Sequence, residues 1–315
     1  MPTALGKSSN IRTNIPAEQA LNTLFKVSTS IANSQLRLST GKRINSAADD
    51  VSGYITSRAL LSRNSSLKTA LVSSEEATHL TAIAQDSLDN ISSLLSDIKD
   101  SAINASSDSI GTDEKVALSK AAFRLVQQVH FVVDSTVFGG RTLLNGEFQG
   151  DWTVGYSANN TILDFEINLK SDNEDFNIRS KSFRLNALNQ SAEGYGNFAG
   201  VTGLNLASLN DTTDTNLGLF ERNSVGLTIS SISEALNNVS KVASYLGGIQ
   251  NRLLSQNESL NSQITNYKSA ISRIEDVDVA EEQLSLTKSF FLETSSVIVL
   301  AQANQNPNSF LRLLN

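Results

Sequence analysis

Residues 229–274 read ISSISEALNNVSKVASYLGGIQNRLLSQNESLNSQITNYKSAISRI. Taken at alternating steps of three and four, the stretch aligns Ile229, Ile232, Leu236, Val239, Ala243, Leu246, Gln250, Leu253, Asn257, Leu260, Ile264, Tyr267, Ile271 and Ile274 on one seam, with only Gln250 and Asn257 polar. A 3.5-residue repeat held this long predicts a coiled coil, because an ordinary helix stripe drifts around the surface after two heptads. At 1.5 Å per residue such a rod is about 70 Å long. No compact core needs so long a straight helix, so a partner helix has to lie along it.

The rest of the chain says where that partner comes from. Prolines stand only at Pro2, Pro16 and Pro307, so helices can run unbroken from Ala17 to Asn306. Glycine is absent between Gly53 and Gly111, and after Gly226 only Gly247 and Gly248 occur, while glycines crowd from Gly139 to Gly226. Helical ends around a turn-rich middle are expected. A heptad seam at the amino end passes through Ala17, Ala20, Leu24, Val27, Ile31, Ser34 and Leu38, after Thr13, Asn14, Pro16 and Glu18, which suit a helix start. Gly41, Asn45 and Gly53 predict a bend before the next helix, about Tyr54 to Ser106, whose seam is clearest at Ala84, Leu88, Ile91, Leu95, Ile98 and Ala102. A loop at Ser106 to Asp113 leads to a third helix through Leu118, Ala122, Leu125, Val129 and Val132, which stops at Phe138-Gly-Gly140.

There the period changes to two. Trp152, Val154 and Tyr156 alternate, as do Leu163, Phe165, Ile167 and Leu169, and Asn159-Asn160 between them marks a β-hairpin. Residues 171–222 show no firm period and read as an irregular or β-rich insert. The predicted fold is mainly α: a long antiparallel coiled-coil helical bundle built from both termini, with a β-hairpin and a small irregular central insert. Two end helices leave flanks exposed, so self-assembly is expected.

Composition narrows the function classes. A net charge of -7 argues against a nucleic-acid surface, and the absence of cysteine excludes disulfides and thiolate metal sites. The first thirty residues hold no apolar core of about 7 to 15 residues, so an export route other than a signal peptide is implied if the protein leaves the cell. Phe290 to Ala303 is interrupted by Glu293, Thr294, Ser295, Ser296 and Gln302, and no membrane insertion is expected of it.

Five segments in order carry a resemblance. Leu38-Ser-Thr-Gly-Lys-Arg-Ile-Asn-Ser-Ala-Ala-Asp-Asp50 with Gly53 is the strongest; the others are Phe138-Gly-Gly-Arg-Thr-Leu-Leu-Asn-Gly146, Leu246-Gly-Gly-Ile-Gln-Asn-Arg252, Ser272-Arg-Ile-Glu-Asp276, and Ala301-Gln-Ala-Asn-Gln305 with Leu311, Leu313 and Leu314. Together with Ile11-x-Thr-Asn14 they resemble bacterial flagellin. That resemblance implies an extracellular filament subunit for motility, exported unfolded by the flagellar type III apparatus, with terminal helices that fold on polymerising. It implies an inner tube from residues 1–45 and 277–315, a core rod from 46–170 and 223–276, and a small surface-exposed insert at 171–222. Partners would be further copies, alone or with other flagellins, an export chaperone, a filament cap and hook-associated proteins, with no cofactor.

Seams and motifs together place the assembly interface at Leu24, Ile31, Leu38, Arg43, Ile44, Asn45, Asp49, Asp50, Arg273, Glu275, Asp276, Phe290, Val297, Leu300, Asn304, Leu313 and Leu314. Asp49-Asp50 and the acidic run Glu275 to Glu282 read as solvated faces or inter-subunit ion-pair partners of Arg43 and Arg273, since no glycine stands where a calcium loop turns and no histidine joins them. His79 and His130 read as surface or packing residues. Many flagellins carry an arginine-rich segment seen by the flagellin-sensing Toll-like receptor. The aligned residues here are Ser96, Asp97, Lys99 and Ser101, a departure that implies weak receptor activation. The nearest rival reading is a hook-filament junction protein, which copy number would separate; an enzyme is the weakest reading.

Overall fold

The computed structural model of the chain describes residues 13–156, 162–179, 183–186, 198–201 and 204–313, without the side chains of Tyr156, Ile162, Leu163 and 306–313. The hairpin tip at Asn159-Asn160 and the terminal Leu314 therefore lie outside the described residues. Five helices carry the fold: α1 (Ile15–Thr40), α2 (Val51–Ala105), α3 (Thr112–Ser135), α4 (Val225–Glu275) and α5 (Val279–Leu313). Contacts divide the chain into one unit of Met1–Ser65 with Thr265–Asn315, and a second of Ser66–Ile264. Both boundaries fall inside the long helices α2 and α4, not at the turns near 45 and 277. Turn residues mark where a helix ends, and these two helices do not end there.

The first unit holds α1 and α5 packed lengthwise. Asn14 caps α1 by accepting the Ala17 N–H at 3.2 Å, Pro16 sits in the first turn, and Gly41 at φ 69° ends the helix in the left-handed conformation. Asp278 caps α5, accepting from Ala280 N–H (2.9 Å) and Glu281 N–H (3.2 Å). The pair is antiparallel: Asn14 at the start of α1 donates to the Ala303 carbonyl at 2.9 Å, while Arg37 near its end lies 3.7 Å from Glu282. The α1 seam is the expected one, with Ala20, Val27, Ile31 and Ser34 buried.

The matching face of α5 is different from what an apolar helix suggests. Its buried residues are Leu286, Ser289, Ser296 and Ala303, and Ser289 Oγ lies 3.4 Å from Ser30 Oγ. Its large side chains point elsewhere, with Leu284 and Phe291 each 71% exposed and Ile298 66%. One expectation needs amending. By length and composition alone, Val279–Gln305 is apolar enough to cross a membrane, because Ser and Thr weigh lightly on a hydropathy scale and Glu293 is the sole charge from Ser289 to Leu311. The same feature marks a helix whose burial is incomplete.

The second unit contains a continuous apolar core. Ala84, Leu88, Ile91, Leu95, Ile98 and Ala102 of α2 are all fully buried, as are Ile232, Leu246 and Leu253 on the α4 seam. Helix α3 adds Ala122, Val126, Val129 and Val133. Strands β3 (Gln149–Tyr156) and β4 (Ile162–Asn168) form the expected antiparallel hairpin, with Trp152 opposite Phe165 and a bulge between Thr153 and Gly155. Val154, Phe165 and Ile167 face the core.

Two features depart from expectation. A second hairpin of two-residue strands, β1 (Val137–Phe138) and β2 (Arg141–Thr142), turns at Gly139 and Gly140, whose φ values of 57° and 79° are those of a primed turn. The helix-stop reading of Phe138-Gly-Gly140 recognised the glycines but not the strands, which are too short to show a period. The insert at 171–222 is irregular as expected, but its described part does not protrude. Phe176, Phe183, Leu185, Phe198, Leu204, Leu206, Leu209 and Phe220 are buried in the main cluster. Polar ties hold it there: Ser119 Oγ donates to the Leu209 carbonyl (3.1 Å), and Asn238 Nδ2 to that of Ala199 (3.0 Å).

Candidate assembly interface

The segment 38–50 and the segment 272–276 are more than 220 residues apart in sequence, yet the first unit joins them. After Gly41 turns the chain, Lys42 pairs with Asp276 in an antiparallel bridge. Arg43 N–H donates to the Glu275 carbonyl at 2.6 Å, and Val277 N–H to that of Gly41 at 3.0 Å. Arg43 Nη2 donates to the Ile274 carbonyl at 2.6 Å, capping the last turn of α4. Glu275, only 3% exposed, accepts from Lys42 Nζ at 2.6 Å. Each residue type therefore has a task in closing the bend.

The next turn is held from within. Asp49 Oδ2 accepts from Asn45 N–H (3.0 Å), Ser46 N–H (2.9 Å) and Ser46 Oγ (3.2 Å). The backbone N–H groups of Ser46 and Asn45 hold its carboxyl below the ordinary 3.8. Asn45 Nδ2 donates back to the Lys42 carbonyl at 3.0 Å, and Ile44 is buried to 1% exposure. Asp50 Oδ1 accepts from Gly53 N–H at 2.9 Å, capping α2. A Cβ on Gly53 would stand 2.5 Å from Asp50 Oδ2 and 2.6 Å from Ile44 Cδ1, so a larger residue makes the Asp50 and Ile44 side chains shift.

The sequence-predicted residues thus separate into three groups. Arg43, Ile44, Asn45, Asp49, Asp50, Glu275 and Asp276 meet at the bend, with Arg273 exposed in the last turn of α4. Leu24, Ile31, Leu38 and Leu300 line the α1–α5 seam, buried or half-buried. Phe290, Val297 and Asn304 are exposed on α5, and the side chains of Leu313 and Leu314 fall outside the described residues. Within one copy Glu275 pairs with Lys42 and Glu282 with Arg37, while the Arg43 guanidinium donates to the Ile274 carbonyl. Ser96 and Asp97 are exposed, and Lys99 and Ser101 half-buried, on one stretch of α2. His79 is exposed and His130 half-buried. Among the described residues, no group of His, Asp or Glu is arranged to hold a metal ion.

Beyond Phe290 and Val297, which it named, the sequence reading missed most of the exposed apolar surface. Ile15, Leu21, Phe25 and Leu36 on α1, with Val51 and Ile55 on α2, are exposed, as are Val279, Leu284, Phe290, Phe291, Leu292, Val297, Ile298 and Val299 on α5. Among the described residues that is fourteen large apolar side chains in the smaller unit, against seven in the larger. Leu284, Phe291 and Ile298 recur every seventh residue, a seam visible in the sequence but out of phase with the one that meets α1. Inside the α1–α5 pair, only Val27, Ile31 and Leu286, with Leu38 against them, form an apolar cluster. So thin a core cannot hold two long helices together with much stability.

Comparison with known proteins places this arrangement. Residues 11–149 match the bacterial flagellin N-terminal helical region, and residues 229–314 the bacterial flagellin C-terminal helical region. The chain is 28% identical to Flagellin of Bacillus subtilis (strain 168), over 94% of this chain and 97% of that one. It is 26% identical to Flagellin A of Vibrio cholerae serotype O1, over 97% and 99%. The Flagellar filament 33 kDa core protein of Treponema phagedenis is also 26% identical, over 96% and 99%. A solved structure from Vibrio parahaemolyticus, assigned as a flagellar hook-associated protein, aligns with a TM-score of 0.55 at 13% identity, over 72% of this chain and all of that one. At that identity the last likeness concerns the fold alone. The two matched regions between them contain both sides of the bend and both helices of the exposed apolar face, and the chain belongs to the bacterial flagellin family.

Proposed function

We propose that the α1–α5 pair is the surface through which this structural subunit of the extracellular flagellar filament polymerises. The observation that carries the reading is the orientation of α5. Its seam toward α1 is Leu286, Ser289, Ser296, Leu300 and Ala303, in which small side chains outnumber large ones, whereas Leu284, Phe291 and Ile298 face out. Fully burying one such side chain is worth roughly 1.5–3 kcal/mol, so covering these residues with neighbouring copies adds stabilisation that the α1–α5 pair lacks alone. A heterologous contact, in which one patch of each copy meets a different patch of the next and the repeat does not close, extends into a filament. The bend at 41–50 and 275–277 ties the pair to the start of α2 and the end of α4, and the end helices fold as they are buried.

In this reading residues 1–45 and 277–315 line an inner tube, and 46–170 with 223–276 surround it as a rod. Export in the unfolded state by a flagellar type III apparatus, with a chaperone covering the same apolar helices, fits a chain whose ends lack support when alone. Ser96, Asp97, Lys99 and Ser101 would give weak Toll-like receptor signalling, which a reporter assay on purified monomer reads directly. The polymerisation surface is tested by Phe291→Ser with Ile298→Ser. Filament yield, seen by electron microscopy and pelleting, is expected to collapse while the monomer keeps its helical circular dichroism. Normal filaments from the double variant would remove the basis of the proposal.

A further inference from the structure

Three buried side-chain atoms among the described residues have no hydrogen-bond partner: Ser74 Oγ, Gln85 Oε1 and Asn257 Oδ1. All three belong to one short zone of the second unit, where α2 meets α4. Asn257 Nδ2 lies 3.5 Å from Thr78 Oγ1, the outer limit of a hydrogen bond. Nearby hydroxyls give no relief, because Thr78 Oγ1 donates to the Ser74 carbonyl (2.9 Å) and Thr81 Oγ1 to that of Thr78 (2.8 Å), both in their own helix.

The same turns of α4 hold Gly247 and Gly248, adjacent glycines in the interior of a 51-residue helix. A Cβ at either would meet nothing within 4 Å, so crowding does not explain them. Beyond the zone, the α2 core from Leu88 to Ala102 and the α4 core from Ile232 to Val242 are closely packed and apolar. The β3–β4 hairpin rests against this zone: Gln256 Nε2 donates to the Val154 carbonyl (3.2 Å), and the Arg252 guanidinium lies 4.7 Å from the Phe165 ring centre. Orphaned polar atoms and helix-weakening residues thus coincide in one place, where leucine and alanine would be more stable.

We propose that residues 74–85 and 247–257 form a built-in soft zone, which opens and reseats locally while the core on its far side stays closed, so that α4 flexes beside the hairpin. Local openings of this kind draw on few satisfied contacts, and the zone supplies that deficit at a fixed point of an otherwise stiff rod. The inference does not depend on which surface polymerises.

Hydrogen exchange of the full-length monomer, resolved by peptide and corrected for intrinsic rates, tests it. Amides of 74–85 and 247–257 are expected to exchange at least about tenfold faster than those of 91–102 and 232–242. In Gly247→Ala/Gly248→Ala, and more so with Asn257→Leu added, that gap closes and Tm rises. Equal protection of zone and flanks in the native chain overturns the proposal, as does a gap that persists in the double alanine variant. Should the triple variant fail to fold, the double variant alone decides.

Discussion

Glu275 is a carboxylate taken out of water beside one ammonium. Removing Lys42 leaves that charge buried and uncompensated; because Lys42 is itself 43% exposed, water returns part of the loss. Lys42→Met is expected to lower stability by about 1–3 kcal/mol, and Lys42→Met/Glu275→Leu to recover most of it, since an apolar pair of similar volume needs no counter-charge. Thermal melts of the three chains check this. Asp49 contributes with a definite sign. Its folded pKa lies below 3.8, so the folded state favours the charged form; the stabilisation is present above 3.8 and is lost as pH falls through the folded value. Asp49→Asn should therefore be less stable than the native chain at neutral pH, with the difference narrowing as acid titrates the native carboxyl. A difference that stays constant to the end of the acid limb would show that the loop hydrogen bonds do not depend on charge.

Among the elements, the bend is where backbone chemistry is tightest. Gly53→Ala is expected to expel Asp50 from its cap, costing on the order of 1 kcal/mol and fraying the start of α2, seen as faster exchange of the first-turn amides. Most of the helical architecture was legible beforehand. Ala84 to Ala102 and Ile229 to Ile274 announced their buried faces because a 3.5-residue period survives only where a partner helix enforces it. The α5 phase was not legible in the same way. It carries two seams, one of Ser and Ala with Leu286 and Leu300 and one of Leu, Phe and Ile, and hydropathy gives the second more weight although the first meets α1. The pairs made within one copy were not legible either: spacing alone does not bring Lys42 to Glu275, and the turn at Gly41 does. The insert had no period because it packs through scattered single residues, each held by a local turn.

For the whole molecule, the two units differ in self-sufficiency. The second has a large closed core, while the first relies on a three-residue cluster and displays fourteen large apolar side chains. Deleting residues 1–35, or 285–315, is expected to leave a soluble, folded remainder that sediments as monomer and forms no filaments under conditions where the native chain does. The central segment answers a different question, that of how much foreign sequence the subunit could carry. Its phenylalanines and leucines are core members, so exchanging the whole of 171–222 for a peptide antigen would hollow out the subunit. The small turn from Thr213 to Asn216 is another matter: it closes on itself through paired backbone hydrogen bonds of 2.9 and 3.2 Å, and all four residues are exposed. An epitope spliced between Asp214 and Thr215 would ride on a chain that still folds, which makes that turn the practical port for vaccine display.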